Sequence, residues 1–235
     1  MVLLFEGATR NWKSVLGFCA FSLVFLAAQF GYQILFSSNI TYQIALVRSF
    51  AYAGTTFFAA ALLLSVIFKF KPALLKHWPL RRNLGVIGTF FIFLHISLAM
   101  NFYFGFDLSK AFFSLNPFEN PIVFGGLAIP IFVLLALIST DWVMQKLGAN
   151  WKKIQRLVYI GFMLSIFHFM KINPAALEGV PWMMLASLTV LAMAGELYWF
   201  VRTSIEKKRI TFGTLAGVAI ILIYLVLGYL SFFAK

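Results

Sequence analysis

Two histidines offer the clearest chemistry in this sequence. His95 lies in an apolar run at about 84–104 and His168 in another at about 156–171. Both runs are odd-numbered among the spans set out below, so both cross in the same direction. His95 stands about 11 residues into its run and His168 about 13 beyond Gln155, so at about 1.5 Å per residue their depths differ by only about 3 Å. Two imidazoles at one level on parallel helices can face each other across a plane. A bis-histidine b-type heme needs that arrangement, with a neutral ring nitrogen on each side of the iron. The alternative is that each histidine simply hydrogen-bonds a neighbouring helix. A metal centre of another kind would lack a Cys, an Asp or a third His at that level.

The neighbours of the pair are small or cationic. Gly88 precedes His95 by seven residues and Gly161 precedes His168 by seven, so each glycine shares its histidine's helix face two turns inward. The missing side chains leave room either for a flat macrocycle or for close packing of helices. Lys171 is one turn beyond His168, and Arg48 lies near the outer end of the second apolar run. Either cation suits a heme propionate, and either also suits snorkelling to the membrane surface. Glu196, in the sixth run, suits a proton or quinone contact or an ion pair with a loop cation, the latter being preferred. His77, beside Trp78 and Pro79, belongs at an interface.

The elements that must position these residues follow from composition. Of 235 residues, 62% are hydrophobic and only 11% charged, with mean hydropathy +0.93. A soluble domain carries roughly a quarter charged residues, so this is the composition of an integral membrane protein. Seven runs are long enough to span: about 14–36, 44–68, 84–104, 121–140, 156–171, 181–202 and 212–234. Pro121 and Pro181 suit first helical turns, and Pro130 is expected to kink its helix. The stretch 1–10 has no cationic region before its apolar run, which reads as a retained span. The lone cysteine, Cys19, excludes an internal disulfide and a covalent heme attachment motif.

The net charge of +12 does not indicate nucleic acid. Fifteen of the nineteen cations fall on one side: Arg10 and Lys13; Lys69, Lys71, Lys76, Arg81 and Arg82; Lys146, Lys152, Lys153 and Arg156; Arg202, Lys207, Lys208 and Arg209. Arg48, Lys110, Lys171 and Lys235 fall on the other, beside Asp107, Glu119 and Glu178. The positive-inside rule then puts the N-terminus in the cytoplasm and the C-terminus outside, in a multi-pass protein of the plasma (inner) membrane.

Several of these residues form a longer pattern. Arg81-Arg82-Asn83-Leu84-Gly85, with His95 ten residues later, resembles the Arg-Arg-x-Leu-Gly…His start of the ferric reductase-like transmembrane domain. Asn120-Pro121-Ile122-Val123-Phe124-Gly125 resembles that family's Arg-Pro-Tyr-x-x-x-Gly entry to helix four. Ser139-Thr140, Lys146-Leu147-Gly148, Trp151 and Arg156-Leu157-Val158-Tyr159 follow in the family's order, and His168 closes the match. In size, and in lacking a flavin domain, the chain is similar to heme-binding subunits of bacterial methionine sulfoxide reductase systems. The resemblance implies a six-helix b cytochrome that moves electrons across a membrane. In the family's Trp-x-x-Leu-His-Arg-Leu-Val-Tyr pattern the inner histidine falls at Gln155, and an amide is a poor iron ligand. One heme b is therefore expected, its iron held by His95 and His168, and the inner second heme is in doubt. The seventh helix departs from the family and offers no ligand.

The expectation is thus an all-α integral membrane bundle of about seven helices. A six-helix core is joined by one extra C-terminal helix, within a single transmembrane domain spanning 1–235. Its heme-binding core is 60–170 and its additional helix falls in 203–235. It would pass electrons from a separate cytoplasmic or quinone donor (a flavin reductase or quinol) to an outer-face acceptor, with lipid as its surroundings and flavin or quinone as a further cofactor. It is expected to be an electron-transfer subunit rather than a self-contained enzyme. No Gly-x-Gly-x-x-Gly turn offers an NADPH or flavin site. The rival is a heme-free membrane scaffold that keeps the fold. A transporter fits less well, because no inverted repeat or paired broken helices appear.

Overall fold

The computed structural model describes residues 12–37, 40–172, 177, 179–207, 215, 217–224 and 226. Among these no strand occurs, and the chain is a succession of helices. α1 (Trp12–Phe36) and α2 (Tyr42–Phe70) are followed by a short 3-10 turn, Pro72–His77, and by α3 (Trp78–Ala99). A π-helical turn, Met100–Phe104, extends α3. Then come α4 (Leu108–Ala111), α5 (Ile122–Leu137), α6 (Asp141–Leu147), α7 (Ala149–Gln155), α8 (Leu157–Ile172) and α9 (Val180–Lys207). Four helical stretches are long and apolar enough to cross a membrane: Leu16–Phe36, Tyr42–Phe70, Pro72–Phe104 and Val180–Glu206. A fifth exists if α5 and α6, bent by 91°, count as one broken span. α8, at 16 residues, is short for a full crossing. The expected run 212–234 lies largely outside the described residues; those described within it (215, 217–224 and 226) are helical. Arg10, Glu178, Lys208, Arg209 and Lys235, which carry part of the charge asymmetry, also lie outside them.

α1 shows how these helices meet their surroundings. Its buried positions are Ser22, Gln29 and Gln33, while Leu23, Val24, Leu35 and Phe36 are exposed. A helix in water would be turned the other way. Polar side chains facing protein and apolar ones facing out is the arrangement lipid imposes, and the chain is a membrane protein.

The chain forms two compact units, Met1–Thr55 with Val86–Ile172 and Thr56–Gly85 with Asn173–Lys235. In the first, α5 packs on α8 through Val123, Ala128, Phe132 and Leu135 on one side and Gly161, Phe162, Ile166 and Phe169 on the other. Pro130 lies inside α5, where the sequence puts it, and the 91° bend to α6 falls after Leu137. There the Ser139 hydroxyl donates to the Leu135 carbonyl (2.6 Å) and the Thr140 hydroxyl to that of Leu137 (3.3 Å), taking up acceptors that the ending helix leaves open. α6 and α7 form an elbow around Gly148, whose φ of +51° favours glycine. The Trp151 indole donates to the Ile138 carbonyl (3.0 Å) and ties the elbow to the end of α5.

In the second unit the charged residue at depth is paired. Glu196 is 1% exposed and is bridged by the Lys69 ammonium, which also lies over the Phe200 ring at 5.9 Å. The loop-cation partner preferred for Glu196 from sequence is therefore found, although Lys69 sits in the last turn of α2 and not in a loop. His77 closes the 3-10 turn and is exposed.

Candidate heme site

His95 and His168 come together within the first unit. Their ring centres are 6.4 Å apart, with 70° between the planes. Each imidazole is fixed through Nδ1. His95 Nδ1 lies 3.0 Å from the Val47 carbonyl oxygen on α2, and His168 Nδ1 lies 3.0 Å from that of Pro121 at the start of α5. A carbonyl can only accept, so in both rings Nδ1 carries the proton and Nε2 keeps a lone pair. That tautomer, set by a backbone acceptor behind the ring, is the one a metal-ligating histidine adopts.

The separation fits an intervening metal. Two collinear metal–imidazole bonds of about 2.0 Å, with roughly 1.1 Å from each nitrogen to its ring centre, put the ring centres about 6.2 Å apart. Rings sharing such an axis can turn about it, so 70° between their planes is allowed. No group of three or more His, Cys, Asp or Glu that could hold an ion occurs among the described residues. Two imidazole nitrogens are what this pair could offer, a set that would suit an iron whose other ligands come from a macrocycle.

Aromatic pairs flank the two histidines along the chain. Tyr52 packs edge-on against Phe169 at 4.7 Å, next in sequence to His168, and Phe124 stacks on Phe167 at 5.5 Å. Phe50 meets Phe91, one turn before His95, at 5.7 Å.

The other residues singled out from sequence are placed as follows. Gly161 is buried where a Cβ would come within 3.0 Å of the Ile131 side chain and 3.2 Å of Phe132 on α5. Gly88 is buried with its carbonyl facing Gly54, whose own Cβ would lie 3.0 Å from that oxygen. Both glycines therefore stand at close helix–helix contacts, the packing alternative for them. Arg48 follows Val47, the anchor of His95. It is half-buried, within electrostatic reach of Tyr52 and Tyr103, and forms no ion pair or hydrogen bond among the described residues. Lys171 is exposed at the end of α8. Gln155 is half-buried at the end of α7, where its amide donates to the Ser139 hydroxyl at 3.3 Å.

The loop between α3 and α5 is tightly built. Asp107 caps α4, accepting from the Ser109 and Lys110 amides and from the Ser109 hydroxyl (2.6 Å), and these bonds hold its carboxyl below the usual range. The Ser114 hydroxyl and Asn116 amide do the same for Glu119. Asn120, which the sequence marks only as part of a motif, is buried at the end of this loop.

This geometry is that of a membrane helix bundle with two neighbouring imidazoles at depth. Residues 50–166 match the family described as ferric reductase like transmembrane component, and through that segment the chain belongs to the ferric reductase-like transmembrane family. It is similar to proteins named protein-methionine-sulfoxide reductase heme-binding subunit MsrQ from Brucella ovis and Brucella canis. Each is 33% identical over 92 residues, which is 38% of this chain and 40% of the relative. The chain thus spans well under half the length of the curated relatives it matches. No solved structure matches it.

Proposed function

We propose that this chain is a membrane b-type cytochrome, the electron-transfer subunit of an oxidoreductase, with one heme b held between His95 and His168. The observation that carries the reading is the pair of rings 6.4 Å apart, each with Nδ1 donated to a carbonyl and Nε2 left to coordinate. When bound, the heme supplies one-electron chemistry at iron. The protein's own contribution is ligation, orientation and exclusion of water. α2 and α5 fix the two imidazoles from behind, and the Gly54–Gly88 and Gly161–Ile131 contacts bring the ligand helices close to their neighbours. Arg48 and Lys171, with no ion pair to an acid among the described residues, are the cations we assign to two propionates.

The wider reading follows the charge asymmetry and the family. The bundle has about seven helices, a six-helix core and an additional C-terminal one. Its N-terminus is cytoplasmic and its C-terminus outside, in the plasma membrane. The heme-binding core spans about 60–170. Electrons enter from a separate cytoplasmic flavin reductase or a quinol, with flavin or quinone as the intermediate carrier. They leave to an outer-face acceptor, and the MsrQ relatives are named heme-binding subunits of a protein-methionine-sulfoxide reductase. Gln155, hydrogen-bonded to Ser139, supports a single heme, because the amide replaces the inner ligand.

The test is the visible spectrum of the purified chain. Reduction with dithionite should give the band set of a low-spin b heme. A featureless visible region after expression with ample heme would instead establish the heme-free scaffold.

A further inference from the structure

The two histidines are anchored in unequal ways. His95 donates to Val47, whose carbonyl lies inside the 29-residue helix α2 and is held by helix on both sides. His168 donates to Pro121, which precedes the first turn of α5, where no earlier turn of helix fixes the carbonyl. The Phe124 amide of the following turn bonds it, Asn120 holds the residue before it, and Gly125 leaves the ring its place.

Asn120 is 1% exposed and held through both side chain and backbone, its own carbonyl accepting from the Val123 amide (3.1 Å). Its side-chain amide donates to the carbonyls of Ala111 (2.9 Å) and Ser114 (3.1 Å), and its Oδ1 accepts from the Ile122 amide (3.2 Å). Its backbone amide donates to the Asn116 carbonyl at 2.9 Å. The next residue, Pro121, has its φ restrained by its ring, and its carbonyl accepts from both the Phe124 amide (3.2 Å) and His168 Nδ1. The outer loop therefore reaches the imidazole through one rigid dipeptide. Gly125, one turn further along α5, lies against the same Nδ1 end of the ring. A Cβ there would stand 3.2 Å from His168 Nδ1, 3.3 Å from Cγ and 3.4 Å from Cε1. A methyl group at that distance makes the ring yield by a few tenths of an ångström, at the expense of the bond to Pro121.

We propose that Asn120 and Gly125 are positioning residues for the axial ligand His168, Asn120 by fixing the Pro121 carbonyl and Gly125 by leaving the space in which the ring lies on α5. The inference rests on the heme reading above and assigns control of one ligand to two residues that never touch iron. A strong Nδ1–H···O bond makes the imidazole a more basic donor and so favours ferric iron. Loosening the carbonyl or displacing the ring weakens that bond and favours the ferrous form.

The experiment is a redox titration and low-temperature EPR of the full-length chain in detergent, with its heme. Asn120→Ala should raise the heme midpoint, shifting the reduction equilibrium about threefold to tenfold, where tenfold is 59 mV for one electron. Gly125→Ala should shift it the same way, and both should move the largest g value of the low-spin ferric signal. Asn120→Asp, which keeps the acceptor for Ile122 and loses both donors, should fall between Asn120→Ala and the unmodified protein. Ser109→Ala, in the same loop but off this chain of bonds, should change neither readout. Unchanged midpoints and g values in Asn120→Ala and Gly125→Ala overturn the proposal. If Asn120→Ala does not fold, Gly125→Ala alone decides by the same two readouts. Absence of a bis-histidine heme in the unmodified protein would instead overturn the function proposed above.

Discussion

Two polar constellations lie among the apolar helices, one in each unit, and they differ in what they leave available. Lys69 pairs with Glu196 Oε2, an opposite-charge pair with the carboxylate 1% exposed and the ammonium 32%, while Oε1 is buried with no hydrogen-bond partner among the described residues. His95 and His168 do not bond to each other. Each is fixed by a backbone carbonyl and keeps one nitrogen for a further partner. Burying any polar group in lipid is costly, so both constellations must return something for that cost. The ion pair returns cohesion between α2 and α9. The imidazole pair returns unused coordinating capacity, which is what distinguishes a ligand site from a structural pair.

Replacing either histidine should break this contrast most completely. His95→Ala and His168→Ala should each abolish low-spin heme, because the loss of one axial nitrogen leaves a five-coordinate or empty site. Absorption spectra of the two variants check this, and normal low-spin bands in both would mean that other residues ligate. Glu196→Gln should do the reverse, keeping the spectrum while lowering stability by about 1–3 kcal/mol, since it strips the partner from Lys69 in a mostly buried pair. Thermal unfolding in detergent measures that loss. Heme lost from a variant of undiminished stability would erase the distinction between the two constellations.

A smaller effect is expected at the cations near the histidines. Arg48→Gln and Lys171→Gln should lower the heme midpoint if these residues pair with propionates, because a nearby positive charge favours the reduced iron. Arg48, half-buried, should have the larger effect, and Lys171, exposed and screened, the smaller. Unchanged midpoints in both would make them anchors of the helix ends. The smallest effect belongs to Gln155→Ala, which should leave the spectrum as it is, removing only a 3.3 Å bond to Ser139. A lost or shifted heme band would assign Gln155 to a cofactor site.

Much of this was legible in the residue order, for identifiable reasons. Long apolar runs set α1, α2, α3 and α9 to within a few residues at most ends, because lipid demands an uninterrupted span. The level of His95 and His168 followed from a fixed rise per residue, and the structure brings the two rings together. The elbow of α6 and α7 was not legible: Lys146, Lys152 and Lys153 read as loop cations, and the hydroxyl caps at Ser139 and Thr140 act only once α5 has ended. Nor were the anchors legible. Val47 and Pro121 act through backbone carbonyls, which leave no mark on residue type. Gly88 and Gly161 were noticed for their spacing from the histidines, but spacing alone does not say which neighbour a bare backbone faces. Gly125, quoted only as a motif position, is the glycine that touches His168.

The central claim is best tested by the ratio of heme to protein chain, measured by pyridine hemochrome on the purified unmodified protein and on the His95→Ala/His168→Ala double variant. One heme b per unmodified chain and none in the double variant is the predicted result. Two hemes per unmodified chain, or retention of heme without both histidines, would contradict it.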